Sequence, residues 1–416
     1  MNKNDKTHPI CPDHKIINNM WNDLSTELRA RLKQARDKIV ETKKKGRKVI
    51  VAVGSGPNIH EGVTTLIAEL MYKGIIDGVC TSSAVVSHEM AGTLDKVKRA
   101  DGIELGFEPK KLPSFGMVEA TILSSDLLEQ YHKEISINND LYQKIINAPG
   151  EIIIKAAGNM AYPAGLRTEL LSKDILQLAK KYGKPFELIA GYGADPMTMI
   201  GAGARLEKPV LVSVTQLVGG GKTGLAIGDS IPISERSYRI AKLLDSADVI
   251  IESAIALCQE IHDGPFETYT GHGIWADWEK EWTFSLANKN IIRIDLDPNL
   301  ENAWLQERQN KEITEAVKKG LPKAKVTGLP FRMEMSGFAR IPGSVPIIGD
   351  IGNVWPVLAM HVSYALDVNL DFMSYNQSLE EGQKMRDWIV DNIRPVDRDK
   401  VFKHAGVNSA VNEHSI

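Results

Sequence analysis

Between Glu252 and Trp278 the sequence reads ESAIALCQEIHDGPFETYTGHGIWADW. Glu252, Asp263, Glu267, His272 and Trp275 fall within these 27 positions, with more acids and aromatics between them. Carboxylates among aromatic rings suit a cationic amine substrate, through ion pairing and cation–π attraction. His262 and His272 bring groups that move protons near neutral pH. The plainer account is an exposed loop whose aromatics cover a sheet edge or a subunit contact.

A second stretch, TQLVGGGKTGLAIGDSIP, runs from Thr215 to Pro232. A triphosphate-binding loop needs GxxxxGK followed by Ser or Thr. Gly221, Lys222 and Thr223 meet the end of that pattern, but Gln216 stands where its first glycine belongs. Glycines and a proline also interrupt the helix that should start at Thr223. A nucleotide triphosphatase is therefore disfavoured, and Lys222 stays a candidate imine-former, general base or phosphate contact. Lys155 lies inside the apolar run EIIIKAAG. A strand lysine so placed is either paired or has a lowered pKa. His88 and Glu89 are candidate proton shuttles. As neighbours on a helix they point about 100° apart, so one of them faces elsewhere.

The elements that must position these residues follow from the pattern. Residues 16–45 carry apolar side chains at helical spacing and end in KKKG, a basic terminus that suits the helix dipole. Strands are expected at 48–54, 76–83, 151–158, 186–193, 209–216, 248–255, 290–298 and 345–352. Helices are expected at 58–74, from Val85 to Ala100, and at 234–247. Short apolar strands alternating with helices predict an α/β fold, a doubly wound and mostly parallel sheet. The simplest organisation is a helical N-terminal extension over 1–45, a single α/β domain over 46–370, and a C-terminal extension over 371–416. Stretches 103–147 and 262–289 read as excursions over the sheet.

Ligands of open parallel sheets sit beyond the carboxyl ends of the strands. The first strand is followed by Gly54, Ser55, Gly56, Pro57 and Asn58, whose small residues would let backbone N–H groups reach an anion. Their spacing is not GxGxxG, and a plain turn would look the same. The second strand ends in Thr81, Ser82 and Ser83, a set that can equally cap a helix. Gly191 and Asp195 open a glycine-rich stretch that would admit a flat cofactor ring or merely allow tight turns. Asp295 and Asp297 end the strand IIRIDLDP and can hold an adenosine ribose, or form an Asx turn before Pro298.

Composition narrows the class. The chain has 416 residues, 43% hydrophobic and 25% charged, with a net charge of −3. That is ordinary for a globular protein and gives no electrostatic case for nucleic acid. No apolar run reaches the roughly 18–20 residues that span a bilayer, so no membrane partner is expected. Three cysteines at long separations fit a reducing, cytoplasmic setting. His8, Cys11 and His14 have a metal-compatible spacing, although a polar, frayed terminus explains them too, and no metal is expected.

The run KVIVAVGSGPNIHEGVTTLIAELMYKGIIDGVCTSSAVVSHEMAG resembles the first nucleotide-binding unit of deoxyhypusine synthase. The runs KPVLVSVTQ, DSIPISERSYRIAKLLDSADVIIESAIALCQEI, IIRIDLDP and VPIIGDIGNVW are similar to the C-terminal domain of archaeal and cyanobacterial NAD-dependent ornithine cyclodeaminases. That group was once labelled as lysine-oxoglutarate reductase/saccharopine dehydrogenase-like. The likeness covers roughly residues 46–360. It implies a deoxyhypusine synthase-like NAD-binding fold, with NAD across the sheet and chemistry on an amine. By the same likeness Ser55, Gly56 and Asn58 would meet the pyrophosphate. Thr81, Ser82 and Ser83 would lie by the nicotinamide, and Asp295 and Asp297 would hold the ribose. The stretch around Lys222 departs from the cyclodeaminases, being longer and lacking their acid pair, so ornithine is not the expected substrate. The family forms are oligomers, which implies a dimer or tetramer.

The expected function is thus an NAD-dependent enzyme on an amine or amino acid. It would pass through an imine with NAD retained, giving deamination, cyclisation or aminoalkyl transfer. A net NAD(P)-dependent dehydrogenase and a non-catalytic NAD-binding sensor are the alternatives. The catalytic candidates are Lys222, Lys155, His88, Glu89 and His272.

Overall fold

The computed structural model describes residues 10–54, 56–113, 116–158, 160–217, 219–253, 289–295, 298–329 and 343–405. Among the described residues, twelve α-helices precede residue 250: α1 His14–Asp23, α2 Thr26–Lys44, α3 Pro57–His60, α4 Val63–Tyr72, α5 Ser83–Ala91, α6 Ser125–Glu134, α7 Asn139–Asn147, α8 Ala164–Tyr182, α9 Phe186–Gly193, α10 Met199–Leu206, α11 Gly221–Gly228 and α12 Ile233–Asp245. The strands are β1 Val49–Val53, β2 Gly78–Ser82, β3 Leu94–Asp101, β4 Met117–Thr121, β5 Ile152–Ala156, β6 Val210–Val214, β7 Val249–Ser253, β8 Asn290–Asp295 and β9 Val345–Ile348.

Six strands form a parallel sheet in the order β6-β2-β1-β7-β8-β9. The expected doubly wound α/β sheet with helical extensions is therefore present. Every residue of β1 is buried. Val49, Val51 and Val53 enter one core, with α4, α5 and α10, while Ile50 and Ala52 enter a second with α12. Burial on both faces is why these strands read as unbroken apolar runs. Fully burying each of these valine and isoleucine side chains contributes about 1.5–3 kcal/mol. No helix among the described residues is long and apolar enough to cross a membrane.

The sequence reading needs four corrections. Residues 186–193 are not a strand but helix α9, packed on α8 and α10 and apolar nearly all round. Periodicity cannot separate such a buried helix from a strand. The helix expected from Val85 to Ala100 stops at Gly92, whose φ is 108°, and the chain turns into β3. The strand 151–158 exists as β5, but in a separate antiparallel sheet of order β4-β3-β5. Stretch 103–147 supplies β4, α6 and α7 to that layer. Lastly, helix α11 forms despite its glycines. A Cβ on Gly224 would collide with the Gln216 carbonyl.

Candidate functional site

In the strand order, β2 and β6 extend to one side of β1, and β7, β8 and β9 to the other. The direction of winding reverses between β1 and β7. This is the 3-2-1-4-5-6 order of dinucleotide-binding sheets, whose ligand crevice lies at that reversal, beyond the carboxyl ends. Gly54 sits there and donates its N–H to Ser253 O at 3.4 Å. Gly56 has φ 65°, and no atom of the described residues beyond its chain neighbours lies within 4 Å of where a Cβ would stand. Asn58 is buried and tied to the sheet. Its Nδ2 donates to Ser253 O at 3.3 Å, and its Oδ1 accepts from Ser253 Oγ at 2.6 Å. Trp355 Nε1 donates to the same hydroxyl at 2.8 Å. The amide expected to meet a pyrophosphate is thus a strut for the turn. Ser253 and Trp355 are not singled out by sequence, since a serine ending a strand carries no local signal.

At the end of β2 the three hydroxyls differ. Thr81 Oγ1 donates to Val53 O at 2.7 Å. Ser83 Oγ donates to Gln216 O at 3.3 Å and accepts from Gln216 N at 3.1 Å. Ser82 Oγ is buried and has no hydrogen-bond partner among the described residues. Burying a hydroxyl unpaired is unfavourable, so this atom fits a bound polar group.

The glycines around Lys222 serve the chain's own packing. A Cβ on Gly220 would meet Gln216 O and Ser83 Oγ, so these glycines let α11 close onto the strand-end peptide. Lys222 is exposed, and its Nζ lies 3.6 Å from Glu169 of α8. Thr223 is buried and bonded to Ser172 at 2.7 Å. The structure therefore puts Lys222 on an outward face rather than among the other titratable candidates.

Lys155 is in different company. Its Nζ donates to Glu119 Oε2 at 2.5 Å, and Arg99 Nε donates to Glu119 Oε1 at 2.7 Å. Burial opposes the ionisation of Glu119, but hydrogen bonds from Lys155 and Arg99 outweigh it and hold the carboxyl below its usual range. Lys155 pairs in register with Asp95 of β3, and Arg99 with Glu119 of β4. Asp95 is buried, accepts from Gly158 N at 2.7 Å, and is pushed up to about 7 by that burial. His88 Nδ1 lies 2.9 Å from Ala157 O. A bond to that carbonyl makes Nδ1 the protonated nitrogen and leaves Nε2 as acceptor. Burial brings its pKa down to about 4, and the charge on Lys155 adds to this. His60, on α3 just past the crevice, is lowered by burial, then by Arg386 and Lys155. The charge on Lys155 thus bears on His60, His88 and Asp95, while its bond goes to Glu119. Sequence reasoning misses His60, Asp95 and Glu119, because two of them lie on strands that it does not find.

The remaining candidates fall elsewhere. Glu89 is buried and accepts from Met199 N at 2.8 Å and Ile200 N at 3.0 Å, capping α10. Its pKa is pushed up to about 7 by burial, against those two bonds. A Cβ on Gly191 would collide with Ile200 O, so this glycine serves the α9–α10 contact. Asp195 accepts from Met197 N and Arg394 N at 2.9 and 3.1 Å. Gly191 lies in the last turn of α9 and Asp195 in the turn before α10, so neither follows a strand. Glu252 is wholly buried in β7, in register with Arg293 of β8. Asp295 ends β8. Ser55, Asp263, Glu267, His272, Trp275, Asp297 and His8 lie outside the described residues.

No family model and no curated protein matches the chain. Among solved structures, AgrE in ternary complex with ornithine and NAD+ is similar at 13% identity and a TM-score of 0.39, over 82% of this chain and 34% of that one. ArgZ, an arginine dihydrolase of the cyanobacterial ornithine-ammonia cycle, is similar at 10% identity and 0.39, over 80% and 33%. A LOR/SDH protein from Methanococcus maripaludis S2 is similar at 11% identity and 0.37, over 88% and 74%. The chain spans about a third of the length of the first two.

Proposed function

We propose that this chain is an NAD-dependent enzyme acting on a small amine or amino acid. The observation that carries this reading is the strand order β6-β2-β1-β7-β8-β9, which sets the Gly54–Gly56 turn at the switch point. The residues there suit a dinucleotide. Glycine at 56 leaves backbone open to a pyrophosphate, Ser82 Oγ has no partner among the described residues, and Asp295 ends β8 where a ribose hydroxyl would be held. When bound, NAD supplies the hydride acceptor.

The chain's own residues would handle the proton and the charge. Asp95, pushed up to about 7, sits where general acid–base transfer works best near neutral pH. Lys155 would meet the reacting centre, held in place by Glu119. His60 and His88, both lowered, stay neutral at pH 7 and can accept hydrogen bonds from an ammonium or a water. Removing a proton from the substrate ammonium leaves the free amine from which a hydride can depart. Water attack on the resulting imine would release ammonia and leave a carbonyl compound, and attack by a second amine would expel ammonia and leave a new imine. With NAD retained, the hydride would return to that carbonyl or imine and complete deamination, cyclisation or aminoalkyl transfer.

The test begins with purified protein, denatured and assayed for released NAD, then titrated with added NAD+. Amines and amino acids are then screened for ammonia release and for NADH. Ammonia without NADH fits the retained cofactor, whereas NADH accumulation fits a net dehydrogenase. Protein that neither carries nor binds a dinucleotide would end the proposal.

A further inference from the structure

A cavity of about 760 Å³ opens between the smaller sheet and α7. That is within the usual size for a small-molecule site. Its walls include Val118, Leu141, Ile145 and Met160, and its charged lining is Arg99, Glu119 and Lys155. Both Glu119 oxygens are already taken, one by each cation. The trio therefore carries one net positive charge beside apolar surface. An alkylammonium would add a third cation there, while an anion would balance the set. Arg99 is suited to receive it. Its Nε is spent on Glu119, and its two Nη atoms make no hydrogen bond among the described residues. A guanidinium fork with free Nη atoms matches the two oxygens of a carboxylate.

We infer that this cavity binds a carboxylate with an apolar chain, as an amino acid or its 2-oxo acid, with the carboxylate on Arg99 and the chain against Leu141, Ile145 and Val118. This deepens the reading of the Lys155 cluster as the substrate site and names the end of the substrate that is recognised. Met160 stands at the rim, 84% exposed and with φ 62°, a left-handed conformation unusual outside glycine. It forms the apolar lip over which such a chain would enter.

Calorimetric titration of the full chain with 4-methyl-2-oxopentanoate, L-leucine and 3-methylbutylamine tests this, each with and without NAD+. At least one of the two carboxylates should bind, and the amine, which shares the chain but lacks the carboxylate, should not. Arg99→Met should weaken carboxylate binding about 10-fold or more. Should that variant misfold, Met160→Glu, at an exposed position, should weaken it several-fold by repulsion. Equal binding of the amine, unchanged binding in a folded Arg99→Met or Met160→Glu, or no carboxylate binding below about 10 mM would overturn the inference. Carboxylate binding in protein that never binds NAD+ would keep this inference and remove the dinucleotide. NAD+ binding without any carboxylate binding would do the reverse.

Discussion

Lys155 Nζ lies 2.5 Å from Glu119 Oε2, joining β5 to β4 across the smaller sheet. Neither side chain is fully buried, with 21% and 16% of each exposed. Glu119→Gln should leave Lys155 and Arg99 as neighbouring cations with a weaker acceptor. The expected loss is about 1.5–3 kcal/mol, less whatever solvent screens. Denaturant unfolding of the two proteins at low and high salt checks this. The gap should narrow as salt rises, and equal midpoints at low salt would mean the pair is idle.

Glu89 predicts a pH dependence. Its folded pKa, about 7, lies above the ordinary 4.5, so the folded state binds the proton more tightly than the unfolded one. Stability from this group is full below about 4.5 and is lost as pH rises through about 7. Asp95 acts with the same sign, and His88 with the opposite sign between about 4 and 6.5. Glu89→Gln should remove roughly 3 kcal/mol of this slope between pH 4.5 and 7.5. Parallel pH–stability curves for the two proteins would count against the burial of this carboxylate.

Gly224→Ala separates two effects of opposite sign. In an open helix, alanine would stabilise by up to about 1 kcal/mol. Here its Cβ meets Gln216 O, and the crowding should cost about 1–3 kcal/mol instead. A melting temperature that rises on this substitution would mean α11 does not close on Gln216.

These positions also mark what the sequence can tell. Strands β1, β2 and β6 to β9 are legible because burial on both faces leaves unbroken β-branched runs. β3 is not, because LDKVKRAD mixes charges into a strand whose lysines and arginine find partners in distant elements. With β3 hidden, Asp95 and Arg99 cannot be placed beside Lys155, although Lys155 itself stands out as a lysine within an apolar run. The glycines near Lys222 are visible, but what they approach, the Gln216 peptide and Ser83, is a matter of packing. Asn58 shows itself as part of the first turn, yet its partner Ser253 is 195 residues away.

Ser253→Ala should show how far the switch-point turn depends on that partner. The substitution orphans Asn58 Oδ1 and Trp355 Nε1, both in buried surroundings. Each orphaned group costs about 1–3 kcal/mol. NAD+ affinity should fall along with stability, because Asn58 and the turn it braces are then held only through the Ser253 carbonyl. Stability unchanged from wild type would remove Ser253 as the hub.

The central claim is that a dinucleotide lies across the β1–β7 switch point, and Ser82 tests it most directly. Its hydroxyl is buried and has no partner among the described residues, so Ser82→Ala should leave the melting temperature unchanged or raise it. If that hydroxyl meets the cofactor, the same substitution should weaken NAD+ binding about 10-fold, as expected for one lost hydrogen bond. Calorimetric titration of NAD+ into wild type and Ser82→Ala decides the matter. Binding in the wild type, weaker binding in the variant and an undiminished melting temperature are the predicted result. No NAD+ binding by the wild type, or equal affinity in both, would contradict it.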